Sequence, residues 1–227
     1  MAVIEAQNLT RVFGETVVPV RAVDNLDLTI EKGEFTAIVG PSGSGKTTLL
    51  NMLGGLDRPT EGTVKINGTD LYALKDSERT RFRLNQIGFV FQAYNLIPVL
   101  SAFENAEFTL LLQGRPAKER IERATALLKR VGLEDRMSNR PGELSGGQQQ
   151  RVAVVRALAT NPSFILADEP TANLDSASTA NLLDIMAELN QEEGMTFVFA
   201  THDQRVIDRA RRVVTIEDGR VASDVIR

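Results

Sequence analysis

Phe35-Thr-Ala-Ile-Val39-Gly40-Pro-Ser-Gly-Ser-Gly-Lys46-Thr47-Thr48 is the stretch whose reading decides the fold. Phe35–Val39 is short, uncharged and rich in apolar side chains, which reads as one buried strand; the run from Thr47 to Leu53 reads as a helix. Between them, Gly40 to Thr47 satisfies G-x-x-x-x-G-K-[ST] at every fixed position, in the strand–loop–helix setting the motif requires. Glycines let the backbone curl until several N–H groups point inward at phosphate oxygens, and the helix N-terminus adds its dipole. Lys46 is placed to reach the β- and γ-phosphates and the Thr47 hydroxyl to bind Mg²⁺. Gly40, Ser42, Gly43, Ser44, Gly45, Lys46, Thr47 and Thr48 are the candidate ligands of a nucleotide, ATP with Mg²⁺. This loop by itself does not separate a motor from a kinase, a GTPase or a helicase.

Outward from the loop, apolar runs recur at Gly88–Phe91, Phe164–Ala167, Thr196–Ala200 and Val213–Ile216. Helical patterns lie between them: Ile121, Ala124, Leu127, Leu128 and Val131 share one face, as do Leu182, Ile185, Met186 and Leu189. Such alternation predicts an α/β fold, a P-loop NTPase core with a mostly parallel sheet. Before Gly33, the runs Val3–Ala6, Val17–Val23 and Leu26–Ile30, with Gly62–Gly68 further on, suggest an N-terminal antiparallel β subdomain. Residues 93–157 break the alternation, with helical patterns and loop prolines only. The expected division is a core of 1–92 and 158–227 around an inserted helical subdomain of 93–157.

Phe164-Ile-Leu-Ala-Asp168-Glu169 ends a buried strand on two adjacent acids. Successive strand residues point to opposite sides, so the two can take different tasks. Asp168 is expected to hold Mg²⁺ through water, and Glu169 to face the γ-phosphate and polarise the attacking water. Further upstream, Leu144-Ser145-Gly146-Gly147-Gln148 opens a helical run, so a hydroxyl and bare N–H groups form a second anion-binding helix start.

With these motifs in place, the chain resembles the ATPase subunits of ABC transporters over about Val3 to Val221. The resemblance implies that Ser145, Gly146, Gly147 and Gln148 bind the γ-phosphate of ATP held by a second copy. It also implies that Gln92 reaches Mg²⁺ and the attacking water, that Asp175, ending Ala172-Asn-Leu-Asp175, crosses the dimer interface, and that His202 contacts the γ-phosphate. Phe13 stands where the family places an adenine-stacking aromatic, usually tyrosine; stacking needs only the ring face. Gly55-Leu-Asp-Arg-Pro-Thr-Glu-Gly62, Phe91-Gln-Ala-Tyr-Asn-Leu-Ile-Pro98 and Leu144-Ser-Gly-Gly-Gln-Gln-Gln-Arg151 are most similar to the lipoprotein-release and macrolide-export branch. Its macrolide exporters fuse the ATPase to a membrane domain, whereas this chain stops at Arg227, as a separate subunit or as part of a longer protein.

The expected function is a motor: ATP closes a two-fold dimer, hydrolysis reopens it, and transmembrane partner subunits feel the motion at the cytoplasmic face of the inner membrane. The same machine could instead regulate a membrane signalling or cell-division complex. Of the 227 residues 42% are hydrophobic and 25% charged, enough apolar material for a large core. A net charge of −4 gives no electrostatic case for nucleic acid. With no cysteine, disulfides and thiolate metal sites are excluded. No apolar run approaches the ~20 residues of a membrane helix, so any membrane role runs through partners. The expected coupling surface is Ala93–Leu100, which follows Gln92 and offers Tyr94, Leu96, Ile97, Val99 and Leu100.

Overall fold

The computed structural model describes residues 1–14 and 19–227; residues 17 and 18 of the expected strand Val17–Val23 lie outside them. In chain order, β1 (Ala2–Phe13), β2 (Val20–Glu31) and β3 (Phe35–Val39) precede α1 (Lys46–Leu53), β4 (Glu61–Ile66), β5 (Thr69–Asp70), α2 (Asp76–Gln86) and β6 (Ile87–Val90). Three helices then follow without a strand: α3 (Ala102–Leu112), α4 (Ala117–Arg130) and α5 (Gly146–Ala159). The chain ends with β7 (Phe164–Asp168), α6 (Ser176–Glu193), β8 (Thr196–Ala200), α7 (Gln204–Arg209), β9 (Arg212–Glu217) and β10 (Arg220–Ile226).

Two sheets result. One is antiparallel, in the order β2-β1-β4-β5, and the other runs β10-β9-β3-β8-β7-β6, parallel except for the edge pair β9–β10. The stretch around Val23 and the run Leu26–Ile30, expected as separate strands, form the single strand β2. The reason is a bulge: Leu9 pairs Leu26 and Arg11 pairs Val23, so β2 carries one extra residue, and Asn25 there takes a φ of 47°. The extra residue shifts the in–out alternation midway, which splits one strand into two apparent runs.

The mixed sheet is buried on both faces, which explains why its strands read as unbroken apolar runs. Phe35, Ala37, Ile165, Ala167, Phe197 and Phe199 face the core formed with α3–α6. Their alternating neighbours Ile38, Phe164, Leu166, Val198 and Ala200 face α1 and the antiparallel sheet. Burial of a phenylalanine such as Phe199 contributes about 1.5–3 kcal/mol. The apolar face of α4 packs through Ala124, Leu127 and Leu128, but Ile121, expected on that face, is 50% exposed one turn nearer the helix start. Leu182, Ile185, Met186 and Leu189 of α6 are all buried. The core beneath the sheet continues without a break into α3, α4 and α5. The parallel strands β3, β6, β7 and β8 consequently present their carboxyl ends along one edge, the place where open α/β sheets carry ligands.

Candidate active site

At the end of β3, the backbone from Gly40 to Gly45 turns back on itself in conformations that a side chain resists. Gly40 has φ 151° and Gly45 φ 101°; a Cβ would stand 2.1 Å from the Ile216 carbonyl oxygen at the first and 2.0 Å from that of Ala22 at the second. The loop therefore packs directly on the β9 and β2 backbones. No side chain caps α1 and no acid sits in its first turn, so its leading N–H groups stay open to an anion. The Lys46 ammonium donates to the Gly40 and Pro41 carbonyls, both at 2.9 Å, and so lies along the loop.

At the end of β7 the two acids diverge. Asp168 Oδ1 accepts from the Thr47 hydroxyl at 3.1 Å. Burial raises the Asp168 pKa above the usual carboxylate value, opposed by the Thr47 hydrogen bond. Glu169 is turned the other way by a left-handed backbone, φ 45°, and its N–H donates to Ala200 at 2.9 Å. Its Oε2 accepts from the buried Thr201 hydroxyl at 3.0 Å, and its Oε1 lies 2.7 Å from His202 Nδ1.

A cavity of about 550 Å³ collects this chemistry. Gly40, Ser42, Gly43, Gly45, Lys46, Thr47, Thr48, Gln92, Glu169 and His202 line it, together with Ala22 and Pro41. Asp168 reaches it through Thr47. Ser44 does not line it: this side chain is buried beneath the loop with its hydroxyl unpaired, so its contribution to the cradle is backbone only.

Six other expected residues, Phe13, Ser145, Gly146, Gly147, Gln148 and Asp175, stand apart from the cavity. Phe13 is 39% exposed, with the Arg11 guanidinium 4.5 Å over its ring. Ser145 caps α5, accepting from the Gln148 N–H at 3.3 Å while Gln148 Oε1 accepts from the Ser145 N–H at 2.9 Å. Gly147 is buried against the start of α6, where a Cβ would come within 2.5 Å of Ser178 Oγ. Gly147 is therefore a close-packing glycine of this chain, whatever its N–H binds. Asp175 caps α6 through both carboxylate oxygens, to Ser178 N at 2.9 Å and Ser178 Oγ at 2.8 Å, and these bonds hold its pKa below normal.

Sequence reasoning missed the support behind Glu169. Asp203 follows His202, accepts from the buried Thr171 hydroxyl at 2.7 Å and pairs with Arg205, which lowers its pKa to about 2. Thr201 accepts from the Asp203 N–H at 3.0 Å. Thr171 and Asp203 thus tie the segment after Glu169 to the segment after β8. The signal available was only the hydroxyls adjoining the acids and the histidine.

The run Ala93–Leu100 does not form an apolar face. Leu96 packs on the core, and the buried Asn105 side chain binds Ile97 N and the Ile97 and Leu100 carbonyls, leaving Val99 as the strongly exposed member at 72%. A separate cavity of about 320 Å³ lies nearby, lined by Leu56, Leu84, Ile87, Phe89, Phe91 and Ala157 with polar neighbours. No helix among the described residues is long and apolar enough to cross a membrane.

A sequence model of the ABC transporter family matches residues 23–172, more than half of the chain. The chain belongs to the ABC transporter family. It is an ATP-binding cassette, the ATPase module of that family. The cassette is 49% identical over 221 residues to the macrolide export ATP-binding/permease protein MacB of Hyphomonas neptunium, covering 97% of this chain and 34% of that protein. It therefore spans about a third of the length of that relative. It is 46% identical to the lipoprotein-releasing system ATP-binding protein LolD 1 of Chlorobium chlorochromatii, covering 95% of this chain and 86% of that one. Among solved structures, the dimeric post-hydrolysis state of the ATP-binding cassette MJ0796, bound to ADP and Pi, matches with TM-score 0.91 and 44% identity over 98% of both chains.

Proposed function

We propose that the cassette is the ATP-hydrolysing motor of a membrane complex of the lipoprotein-release or macrolide-export type, working as a two-fold dimer with two ATP molecules held in its one interface. One observation carries the reading: the phosphate loop, Gln92, Glu169 and His202 line one cavity, while Ser145–Gln148 and Asp175 lie outside it on the same chain. The loop amides and Lys46 cover one side of a triphosphate. A second helix start for phosphate has no phosphate loop of its own to serve, and an isologous pair gives each copy's Ser145 end to the other's nucleotide. The dimeric relative with bound ADP and Pi supports this arrangement.

In the hydrolytic step, Glu169 accepts the proton of the attacking water and His202 steadies the γ-phosphate side. The Thr47 hydroxyl and the Asp168 carboxylate, 3.1 Å apart, are hard oxygen donors suited to Mg²⁺. A cation there offsets the burial of Asp168, and Mg²⁺ would supply charge neutralisation across the phosphates. Gln92, in the lining of the same cavity, orients the water, and Phe13 offers a ring face to the base. We assign residues 1–92 and 158–227 to the core and 93–157 to the helical lobe. Transmembrane subunits are the proposed partners, held at the cytoplasmic face of the membrane. The apolar cavity under Phe89 and Phe91, one residue from Gln92, fits their contact better than Ala93–Leu100 does.

The test is Glu169→Gln, which keeps the side-chain size and removes the base. Turnover should fall at least ~10²-fold, with ATP still bound and an ATP-loaded dimer accumulating. Wild-type turnover in that variant would overturn the reading.

A further inference from the structure

Gln150 lies just past the first turn of α5, fully buried, and none of the roles above uses it. Its side-chain nitrogen donates to two carbonyl oxygens, that of Phe91 at 3.3 Å and that of Pro170 at 2.8 Å. Phe91 immediately precedes Gln92, and Pro170 immediately follows Glu169. Its Oε1 has no partner. Turning the amide over would set that oxygen against two carbonyl oxygens, so the donor assignment is forced by the acceptors.

A buried amide with a bare acceptor is a costly way to fill space; leucine or methionine would fill the same volume with nothing left unpaired on the side chain. What the amide adds is two N–H groups that join loops from different strands of the sheet. Other side chains extend the same harness. Asn173 Nδ2 donates to the Gln92 carbonyl at 3.0 Å, and the Arg156 guanidinium of α5 donates to the Tyr94 carbonyl at 2.9 Å and to that of Asn95. Asn173, itself on the loop that follows Glu169, also joins the two loops; Gln150 differs in tying both of them to α5.

We infer that Gln150 is a positioning residue for hydrolysis, fixing Gln92 relative to Glu169 and tying both to the helix that begins at Ser145. This rests on the roles proposed above for Gln92 and Glu169. A shift of α5 must then carry the two loops together, because one amide spans them.

The variants are Gln150→Met, which fills the volume without a donor, and Gln150→Glu, which keeps the shape. Melting temperature, ATP binding, and the kcat and KM of ATP hydrolysis are measured on each. For Gln150→Met, binding should stay within about 3-fold because the phosphate loop is untouched, while kcat per folded molecule falls about 10-fold or more. A wild-type kcat, with or without a lower melting temperature, would overturn the inference. If Gln150→Met does not fold, Gln150→Glu decides. Its ionised form has no donor and its protonated form has one, so its kcat relative to the wild type should rise as pH falls from ~8 to ~6. A ratio flat across that range would refute it. Glu169→Gln run alongside separates the failures. A fully active Glu169→Gln removes the premise, whereas an inactive Glu169→Gln beside a fully active Gln150→Met removes the positioning role alone.

Discussion

Replacing Ser145 by aspartate tests the dimer without disturbing the chain that carries it. Ser145 is exposed and caps α5 through a 3.3 Å bond from the Gln148 N–H. Aspartate caps helices as well as serine does, so Ser145→Asp should leave the melting temperature unchanged, whereas Ser145→Ala should lose about 1 kcal/mol, roughly 2–4 °C in a chain this long. At the interface the new carboxylate would face the γ-phosphate held by the other copy. Unit charges about 4 Å apart repel by about 4 kcal/mol at the permittivity typical of a protein surface. Screening at an exposed helix end removes most of that, but two-fold symmetry applies the remainder twice. If a quarter survives, about 2 kcal/mol opposes closure, roughly a 30-fold weaker dimer. Sedimentation of the Glu169→Gln background with ATP, with and without Ser145→Asp, reads this directly, and nucleotide binding to the monomer serves as the control. Unimpaired ATP-dependent dimerisation would mean that the Ser145 end does not meet the partner's nucleotide. Gly147 is the less useful position for this test, since any side chain there strikes Ser178 of its own chain first.

Two further outcomes follow from the packing and from the acid network. Gly147→Ala should cost about 1–3 kcal/mol by overpacking α5 against α6; thermal unfolding should show the loss, and the double variant with Ser178→Gly should recover most of it, so absence of recovery would contradict the 2.5 Å contact. Asp203 has a pKa lowered to about 2 from 3.8, chiefly by Arg205. A depressed folded value means that its stabilisation is present above about pH 4 and lost as pH falls toward 2. The stability difference between the wild type and Asp203→Asn, measured by denaturant unfolding, should therefore shrink across that window, and a constant difference would remove Asp203 from the network.

Much of this protein is local, and locality is what a sequence displays. The turn at Gly40–Gly45, the acids ending β7 and the capped start of α5 each depend on a few adjacent residues, so spacing alone located them. The buried strands were legible because both faces of the mixed sheet are covered, which leaves uninterrupted apolar runs. α2 was not legible: none of its residues is buried, so it carries no apolar period. The bulge at Asn25 hid the continuity of β2 by shifting its alternation. Other features exist only once the chain is folded. The sheet order brings β3, β6, β7 and β8 side by side, and only that adjacency makes one cavity of Lys46, Gln92, Glu169 and His202, which are up to 156 positions apart. The support of Glu169 by Thr201 and the Thr171–Asp203 bond are contacts between segments that follow different strands, and the double grip of Gln150 joins a helix to two such segments. Such pairings leave no periodic trace in the sequence, because the distance that matters is across the sheet and not along the chain.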